Sequence, residues 1–231
     1  MTHPAHNARA SLRLYLASSN QGKLREFRQA ASGSGITVEQ VPGIESFPEC
    51  VEDGNTFEAN ARKKALHYAA LSQGLVFADD SGISVDALSG APGVYSARYS
   101  GPAATDESNN QKLIRDLRRI ADSQPRGATQ EHLQASAGAR LDLPFGKFTA
   151  HYVCVIALAE AGSCTAITEG RVDGVIIESP RGEGGFGYDP YFFYPPFQKT
   201  FAEISAEEKF AVSHRGIAFR KLVDYLAARD F

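Results

Sequence analysis

The chain has 231 residues, of which 43% are hydrophobic and 22% are charged, the composition of an ordinary globular protein with room for a full core. Its formal net charge of −3 gives no overall attraction to nucleic acid or to an anionic membrane, so a phosphorylated ligand would have to bind a local basic cluster. No apolar run approaches the length of a membrane span.

The first eleven residues lack the apolar stretch of a signal peptide, and we expect a frayed tail before a single domain over residues 12–231. The cysteines, Cys50, Cys154 and Cys164, are scattered and form no CxxC pair. This pattern favours reduced thiols in a cytoplasmic protein over a disulfide framework or a zinc site.

The segment from Leu12 to Phe27 predicts a strand, a tight turn and a helix that begins at Lys23. The turn residues are small and polar: Ser18, Ser19, Asn20, Gln21 and Gly22. Such a helix start suits a phosphate, because free N–H groups and the positive end of the helix dipole face the anion. The Walker A pattern GxxxxGK[ST] is absent, so an ordinary strand–turn–helix with a surface lysine is the alternative.

An acidic loop over residues 42–55 is followed by a predicted helix. Glu52 stands just before the turn that leads into this helix, and Thr56 can cap it. Asn60 and Lys64 are four residues apart and therefore share one helix face. Solvated side chains are the alternative interpretation of Glu52 and Lys64.

A pair of adjacent acids follows the apolar strand predicted at residues 75–78. We expect Asp79, Asp80, Ser81 and Gly82 to form a tight turn at the end of that strand, where ligands bind in open α/β sheets. Adjacent carboxylates in a turn repel each other unless they share a cation, and hard oxygen ligands suit Mg²⁺. The alternative is a helix N-cap formed by Asp80 or Ser81.

The middle of the chain predicts further elements but little chemistry. Tyr95, Arg98 and Tyr99 stand among turn residues and are candidates for a cleft lining or a subunit contact. A helix is predicted at residues 105–122. Residues 123–147 predict a surface loop or insertion that we expect to be dispensable for catalysis. Strands are predicted over three ranges, the first two joined by a hairpin: residues 148–158, 164–171 and 174–177.

The last part of the chain contains a second cluster of polar and aromatic residues. In the glycine-rich loop at residues 180–190, backbone can approach a ligand closely, and the aromatic rings of Phe186 and Tyr188 can stack on a base beside the acceptor Asp189. Further on, three basic residues about one turn apart suit an anion site: Lys209, His214 and Arg215.

Taken together, these motifs make the chain resemble the inosine triphosphate pyrophosphatase family, and within it the bacterial branch. The resemblance runs through nearly the whole chain, and the segment at residues 123–147 is longer than usual for that branch. It rests on ordered segments: SSNQGKLREF, EDGNTFEANARKK, FADDSG, GAPGVYSARYSG, GGFGYDP and EEKFAVSHRG.

The resemblance implies an α/β fold: a long twisted mixed sheet flanked by helices, with two lobes around a central cleft, usually in a homodimer. It implies that residues 18–23 hold a triphosphate with Lys64 nearby, that Glu52 and Asp80 serve a Mg²⁺ site, and that Asp80 accepts a proton. Substrate contacts are implied for the remaining matched positions: Ser81, Phe186, Gly187, Tyr188, Asp189, Lys209, His214 and Arg215.

The implied reaction is hydrolysis of the non-standard purine nucleotides ITP, dITP and XTP to monophosphate and pyrophosphate. Cations would stabilise the leaving pyrophosphate and a carboxylate would deprotonate the water, with Asp79 and Glu52 open as alternatives to Asp80. Donors aimed at positions 6 and 2 of the base, the second of them Arg215, would reject ATP and GTP. A Maf-type nucleotide pyrophosphatase and a nucleotide sensor without turnover are the rival functions.

Overall fold

In a computed structural model of the protein, the described residues are 12–123 and 148–229. The predicted tail and all but the first residue of the predicted insertion lie outside them. Among the described helices, none is long and apolar enough to cross a membrane.

The described residues form alternating strands and helices in the first half of the chain and mostly strands in the second. The strands are β1 (Leu12–Leu16), β2 (Ile36–Gln40), β3 (Leu75–Val85), β4 (Thr149–Glu160), β5 (Ser163–Ile176), β6 (Phe192–Tyr194) and β7 (Lys199–Thr200). The α-helices are α1 (Gln21–Ala31), α2 (Phe57–Ala69), α3 (Asp106–Ser123), α4 (Ala206–Val212) and α5 (His214–Ala227).

The strands form one mixed sheet of seven strands in the order β2-β1-β3-β4-β5-β6-β7. β1 runs parallel to β2 and to β3, whereas β6 runs antiparallel to β5 and to β7. A mixed sheet with flanking helices confirms the α/β class that the sequence predicts.

The chain divides into two compact units, each with its own apolar core. Among the described residues, the first unit contains residues 12–80, 154–170 and 214–229, and the second contains residues 81–123, 148–153 and 171–213. In the first, Phe27 packs edge-on against Phe77 with ring centroids 5.1 Å apart. In the second, Tyr152 packs against Phe192 with centroids 4.7 Å apart, in a cluster that includes Leu113 and Leu117 of α3.

The acidic pair lies within a strand rather than in a turn, so the predicted turn at residues 79–82 is wrong. β3 continues to Val85, and the predicted helix that Asp80 or Ser81 would cap is absent from this described segment. Gly82 explains the difference: a Cβ there would lie 2.3 Å from the Ser96 Oγ, so only glycine lets residues 93–96 pack on the strand. Neighbouring side chains of a strand point to opposite faces, which separates the two carboxylates.

Other element boundaries also differ from prediction. α1 begins at Gln21 rather than Lys23, because Asn20 is its N-cap and accepts a hydrogen bond from the Lys23 N–H. The strands predicted at residues 164–171 and 174–177 are one strand, β5, which follows β4 through the two-residue turn Ala161-Gly162. Both turn residues have positive φ, as in the tight turns that favour hairpins.

Candidate functional site

The predicted phosphate-binding turn lies at the start of α1, in the first unit. Asn20 caps the helix through its side-chain oxygen, which accepts from the Lys23 N–H at 3.1 Å, and the Asn20 N–H donates to the Ser18 Oγ at 3.2 Å. Ser19, Asn20 and Gln21 are exposed and Gly22 is half-buried. The turn therefore presents a capped helix N-terminus to solvent, the arrangement that favours an anion.

Lys23 is held by an ion pair with Asp79, which is fully buried on β3. The Lys23 Nζ lies 2.9 Å from the Asp79 Oδ2, and the Arg215 Nε lies 3.5 Å from the same oxygen. Burial by itself raises the pKa of Asp79, but the charges of Lys23, Arg215 and Lys64 outweigh it and leave that pKa well below its ordinary value. Asp79 is therefore an ionised anchor for basic side chains.

Arg215 has a second acidic contact on α1. Its Nη1 donates to the Glu26 Oε2 at 3.1 Å, and the side chain is buried at the start of α5. Sequence analysis did not select Glu26, although it stands three residues after Lys23 and so shares its helix face.

Asp80 contacts different partners from those of Asp79, and its pKa is shifted in the opposite direction. Its Oδ2 accepts from the Asn60 Nδ2 at 2.9 Å, while the Asn60 Oδ1 accepts from the Gly54 N–H at 2.8 Å. Burial raises the pKa of Asp80 above its ordinary value, against the lowering effects of Asn60, Lys64 and Lys23. Asn60 thus links Asp80 to the end of the acidic loop. The sequence predicts only that Asn60 shares a helix face with Lys64.

Glu52 and Lys64 form the third charged pair of the first unit. The Lys64 Nζ lies 3.0 Å from the Glu52 Oε1, and Lys64 is buried on α2 rather than solvated. Burial lowers the pKa of Lys64, but the charges of Glu52, Asp79 and Asp80 more than compensate and hold it above the ordinary value. Lys64 is therefore a fixed cation near three carboxylates, not a surface lysine.

The carboxylates of Glu52 and Asp80 supply an oxygen donor set for a hard cation. Within the described part of the chain, no group of three His, Cys, Asp or Glu side chains is placed to hold a metal. Mg²⁺ needs no such cage, because it is usually bound by one or two carboxylates with water and substrate phosphates completing its shell. The residues present therefore fit Mg²⁺ and do not resemble a nitrogen- or sulfur-ligated zinc site.

The second unit contains the glycine-rich loop. The Asp189 Oδ2 accepts from the Phe186 N–H at 2.9 Å and pairs with the Lys209 Nζ at 2.6 Å, and both charged side chains are buried. A Cβ at Gly185 would lie 2.1 Å from that oxygen, so the tight loop requires glycine there. The ion pair with Asp189 fixes Lys209 of α4 against the loop.

The two aromatic residues of the loop differ in exposure. Phe186 is half-buried, and the Lys209 Nζ lies 5.0 Å from the centre of its ring. Tyr188 is buried in the core of the unit and donates from its hydroxyl to the Ser96 carbonyl at 2.8 Å. Phe186 is therefore the more accessible of the two rings, and stacking of either ring on a base stays a prediction.

The three basic residues predicted to lie one turn apart are divided between two helices. Lys209 is in α4, whereas His214 and Arg215 begin α5 after Ser213, whose extended backbone separates the helices. His214 is 1% exposed, and a Cβ at Gly170 of β5 would lie 2.1 Å from its carbonyl oxygen. Gly170, which sequence analysis did not select, lets this helix start pack on the strand. Ser81 is half-buried on β3, one residue after Asp80.

Comparison with known proteins places this site in a family. A model of the Ham1 family matches residues 14–139 and 123–225. A curated protein from Geobacter sulfurreducens named dITP/XTP pyrophosphatase is 44% identical over 214 residues, covering 93% of this chain and 96% of that protein. Another of that name, from Desulforamulus reducens, is 42% identical over 215 residues, covering 93% of this chain and 96% of that protein.

Solved structures give the same result. A HAM1 protein from Coxiella burnetii aligns with a TM-score of 0.75 at 36% identity, covering 94% of this chain and all of that one. The Ham1 protein of Staphylococcus aureus aligns with a TM-score of 0.72 at 35% identity, covering 94% of this chain and 98% of that one. The chain therefore belongs to the Ham1 family, which confirms the family resemblance drawn from its motifs.

Proposed function

We propose that this protein hydrolyses non-standard purine nucleoside triphosphates, namely ITP, dITP and XTP, to the monophosphate and pyrophosphate, and so cleanses the nucleotide pool. The observation that carries the proposal is a set of two ion pairs in the first unit, Lys23–Asp79 and Lys64–Glu52, each with one buried partner, together with Asp80. Relatives named dITP/XTP pyrophosphatase, at more than 40% identity, supply the substrate class.

The triphosphate is assigned to the start of α1 and to Lys23 and Lys64. The leaving pyrophosphate carries several negative charges, and fixed cations stabilise it more as the bond breaks. Because both lysines are held by acids in the absence of substrate, they are already in position and need little reordering when phosphates bind.

Asp80 is the residue best suited to take a proton from the attacking water. Its raised pKa makes its carboxylate a stronger base than an ordinary aspartate. Asp79 is a poor choice, because its pKa is depressed and it holds two cations. Mg²⁺, held by Glu52 and Asp80, would supply charge neutralisation on the phosphates when bound.

The base is assigned to the glycine-rich loop, with Phe186 as the stacking surface and the Asp189–Lys209 pair holding the loop. Selectivity for a 6-oxo purine needs a donor at position 6, since adenine presents a donor there. Arg215 as a second donor at position 2 would have to leave Glu26 or Asp79, so we assign it first to fixing Asp79.

Three further assignments complete the proposal. We assign Mg²⁺ as the metal, a homodimer as the assembly and the cytoplasm as the location. The first is supported by the oxygen donors of Glu52 and Asp80, and the third by the three free cysteines, Cys50, Cys154 and Cys164. The dimer is supported by the family resemblance.

The test is pyrophosphate release from ITP by the unmutated protein and by Asp80→Asn at saturating Mg²⁺. We expect turnover by the first and a loss of at least about a hundredfold in the second, within the range that a general base contributes. Asp53→Asn is the control, because that acid forms an exposed ion pair with Lys63. No turnover by the unmutated protein would favour a sensor, and near-normal kcat in Asp80→Asn would overturn the assignment of Asp80.

A further inference from the structure

The backbone of Gly187 is bound on both sides by side chains of α3. The Gly187 N–H donates to the Asp106 Oδ2 at 2.7 Å, and the Gly187 carbonyl accepts from the Asn110 Nδ2 at 2.9 Å. Asp106 and Asn110 are four residues apart, so they project from one face of the first turns of the helix. The two peptide groups on either side of the Gly187 Cα are thus held, one by an acceptor and the other by a donor.

In each contact, only one assignment of hydrogen-bond donor and acceptor is possible. A backbone carbonyl can only accept, so the Asn110 amide must present its NH₂ group, and a backbone N–H can only donate, so Asp106 must present an oxygen. Gly187 has a φ of +64°, a conformation that glycine adopts without strain. The two side chains therefore select one orientation of an intrinsically permissive residue.

Gly187 stands between the residue assigned to stack on the base and the residue that anchors the loop. Phe186 precedes it and is tied to Asp189, and Tyr188 follows it and is tied to Ser96. The Gly187 N–H lies in the same planar peptide group as the Phe186 carbonyl, so the contact with Asp106 constrains the backbone that carries the Phe186 ring.

We propose that Asp106 and Asn110 are positioning residues that set the affinity for the nucleobase end of the substrate by fixing the backbone at Gly187. The proposal rests on the proposed function, since it takes the glycine-rich loop as the base-binding loop. Neither side chain is assigned a contact with the substrate. Their loss should therefore weaken binding of the base without changing the hydrolytic step.

The first test is Asn110→Asp, which keeps the shape but places an acceptor oxygen against the Gly187 carbonyl. Asn109→Asp is a matched control. Asn109 is the neighbouring residue of α3, is equally buried, and donates from its Nδ2 to the Ala97 carbonyl at 3.2 Å instead. We expect Asn110→Asp to raise KM for ITP by about tenfold with kcat within about threefold, the pattern of lost binding rather than lost transition-state stabilisation.

Inhibition by the two products separates the two ends of the substrate. In Asn110→Asp, inhibition by IMP should weaken by the same factor as KM rises, and inhibition by pyrophosphate should be unchanged. In Asn109→Asp, both should stay as in the unmutated protein. A variant that was merely less stable would not separate the two inhibitors.

A second pair of variants lies on the surface, where substitution leaves the core intact. Asp106→Ala removes the acceptor for the Gly187 N–H, and Glu107→Ala removes the same charge from the same helix turn but contacts Gln111 instead. We expect Asp106→Ala alone to raise KM and weaken IMP inhibition, by about threefold to tenfold, the range for the loss of one typical hydrogen bond.

The outcomes distinguish this inference from the function on which it rests. If the unmutated protein releases pyrophosphate and Asp106→Ala keeps its KM and IMP inhibition, the positioning role is wrong and the function stands. The same follows if either variant weakens pyrophosphate inhibition as much as IMP inhibition. If the unmutated protein does not turn over ITP, the function and this inference fall together.

Discussion

At the scale of single residues, Asp79 has the strongest effect we expect on stability. It is 0% exposed and pairs with Lys23 and Arg215. Asp79→Asn would leave two cations without their shared partner, and breaking a buried pair in this way costs about 3–5 kcal/mol. Urea unfolding measures the loss, and Asp53→Asn, which breaks an exposed pair with Lys63, should change stability little. Equal losses in the two variants would contradict the account.

The same carboxylate gives a pH dependence of defined sign. The pKa of Asp79 is lower in the folded protein than its ordinary value of about 3.9, so the unfolded chain binds more protons in that range. The stability that Asp79 contributes is therefore present above about pH 4 and is lost as the pH falls below that value. Unfolding measured at several pH values should show the difference between the unmutated protein and Asp79→Asn shrinking on acidification. A difference that grew would reverse the sign.

At the scale of elements, the start of α4 is the clearest case. Ser205 and Glu208 form a capping box, in which each side chain accepts from the backbone N–H of the other residue. Ser205→Ala should lower stability by about 1 kcal/mol, and Ser205→Asp should retain most of it, because aspartate is an equally good N-cap. Chemical denaturation of the two variants checks this. Equal losses would mean that the cap does not hold the helix that presents Lys209.

An element could be predicted from the sequence where residues close to it in the chain determine its structure, and could not where a distant contact does. Thr56 caps α2 as the sequence predicts, because a cap needs only residues a few positions away. Ser81 and Gly82 have the composition of a turn, yet they lie in β3 because residues 93–96 pack against Gly82. The sequence around Gly82 does not indicate that contact.

In the candidate site, too, the residues could be predicted from the sequence but their contacts could not. Lys23, Glu52, Lys64 and Asp80 could be selected from their motifs. Their pairing could not, because Lys23 meets Asp79 and Lys64 meets Glu52 only once the sheet has formed. Asp106 and Asn110 were missed altogether, although two adjacent asparagines next to the apolar stripe of α3 were a signal that buried amides hold something there.

At the scale of the whole molecule, the homodimer is open to a direct test. Tyr95 is 54% exposed, and it lines a surface hollow with Arg98 and Tyr99, all in the second unit. We expect light scattering to give twice the chain mass of 24.9 kDa, and Tyr95→Ala to shift the protein towards the monomer. Leu71→Ala, at another exposed apolar residue, is the control. A monomer mass at micromolar concentration would exclude the dimer.

The central claim is selective hydrolysis of non-standard purine nucleotides, and one measurement tests it most directly: kcat/KM for pyrophosphate release across ITP, dITP, XTP, ATP and GTP. We expect the first three to exceed the last two by about a hundredfold or more, since a site built on hydrogen bonds rejects a mismatched partner strongly. Comparable kcat/KM values for XTP and GTP would contradict the account.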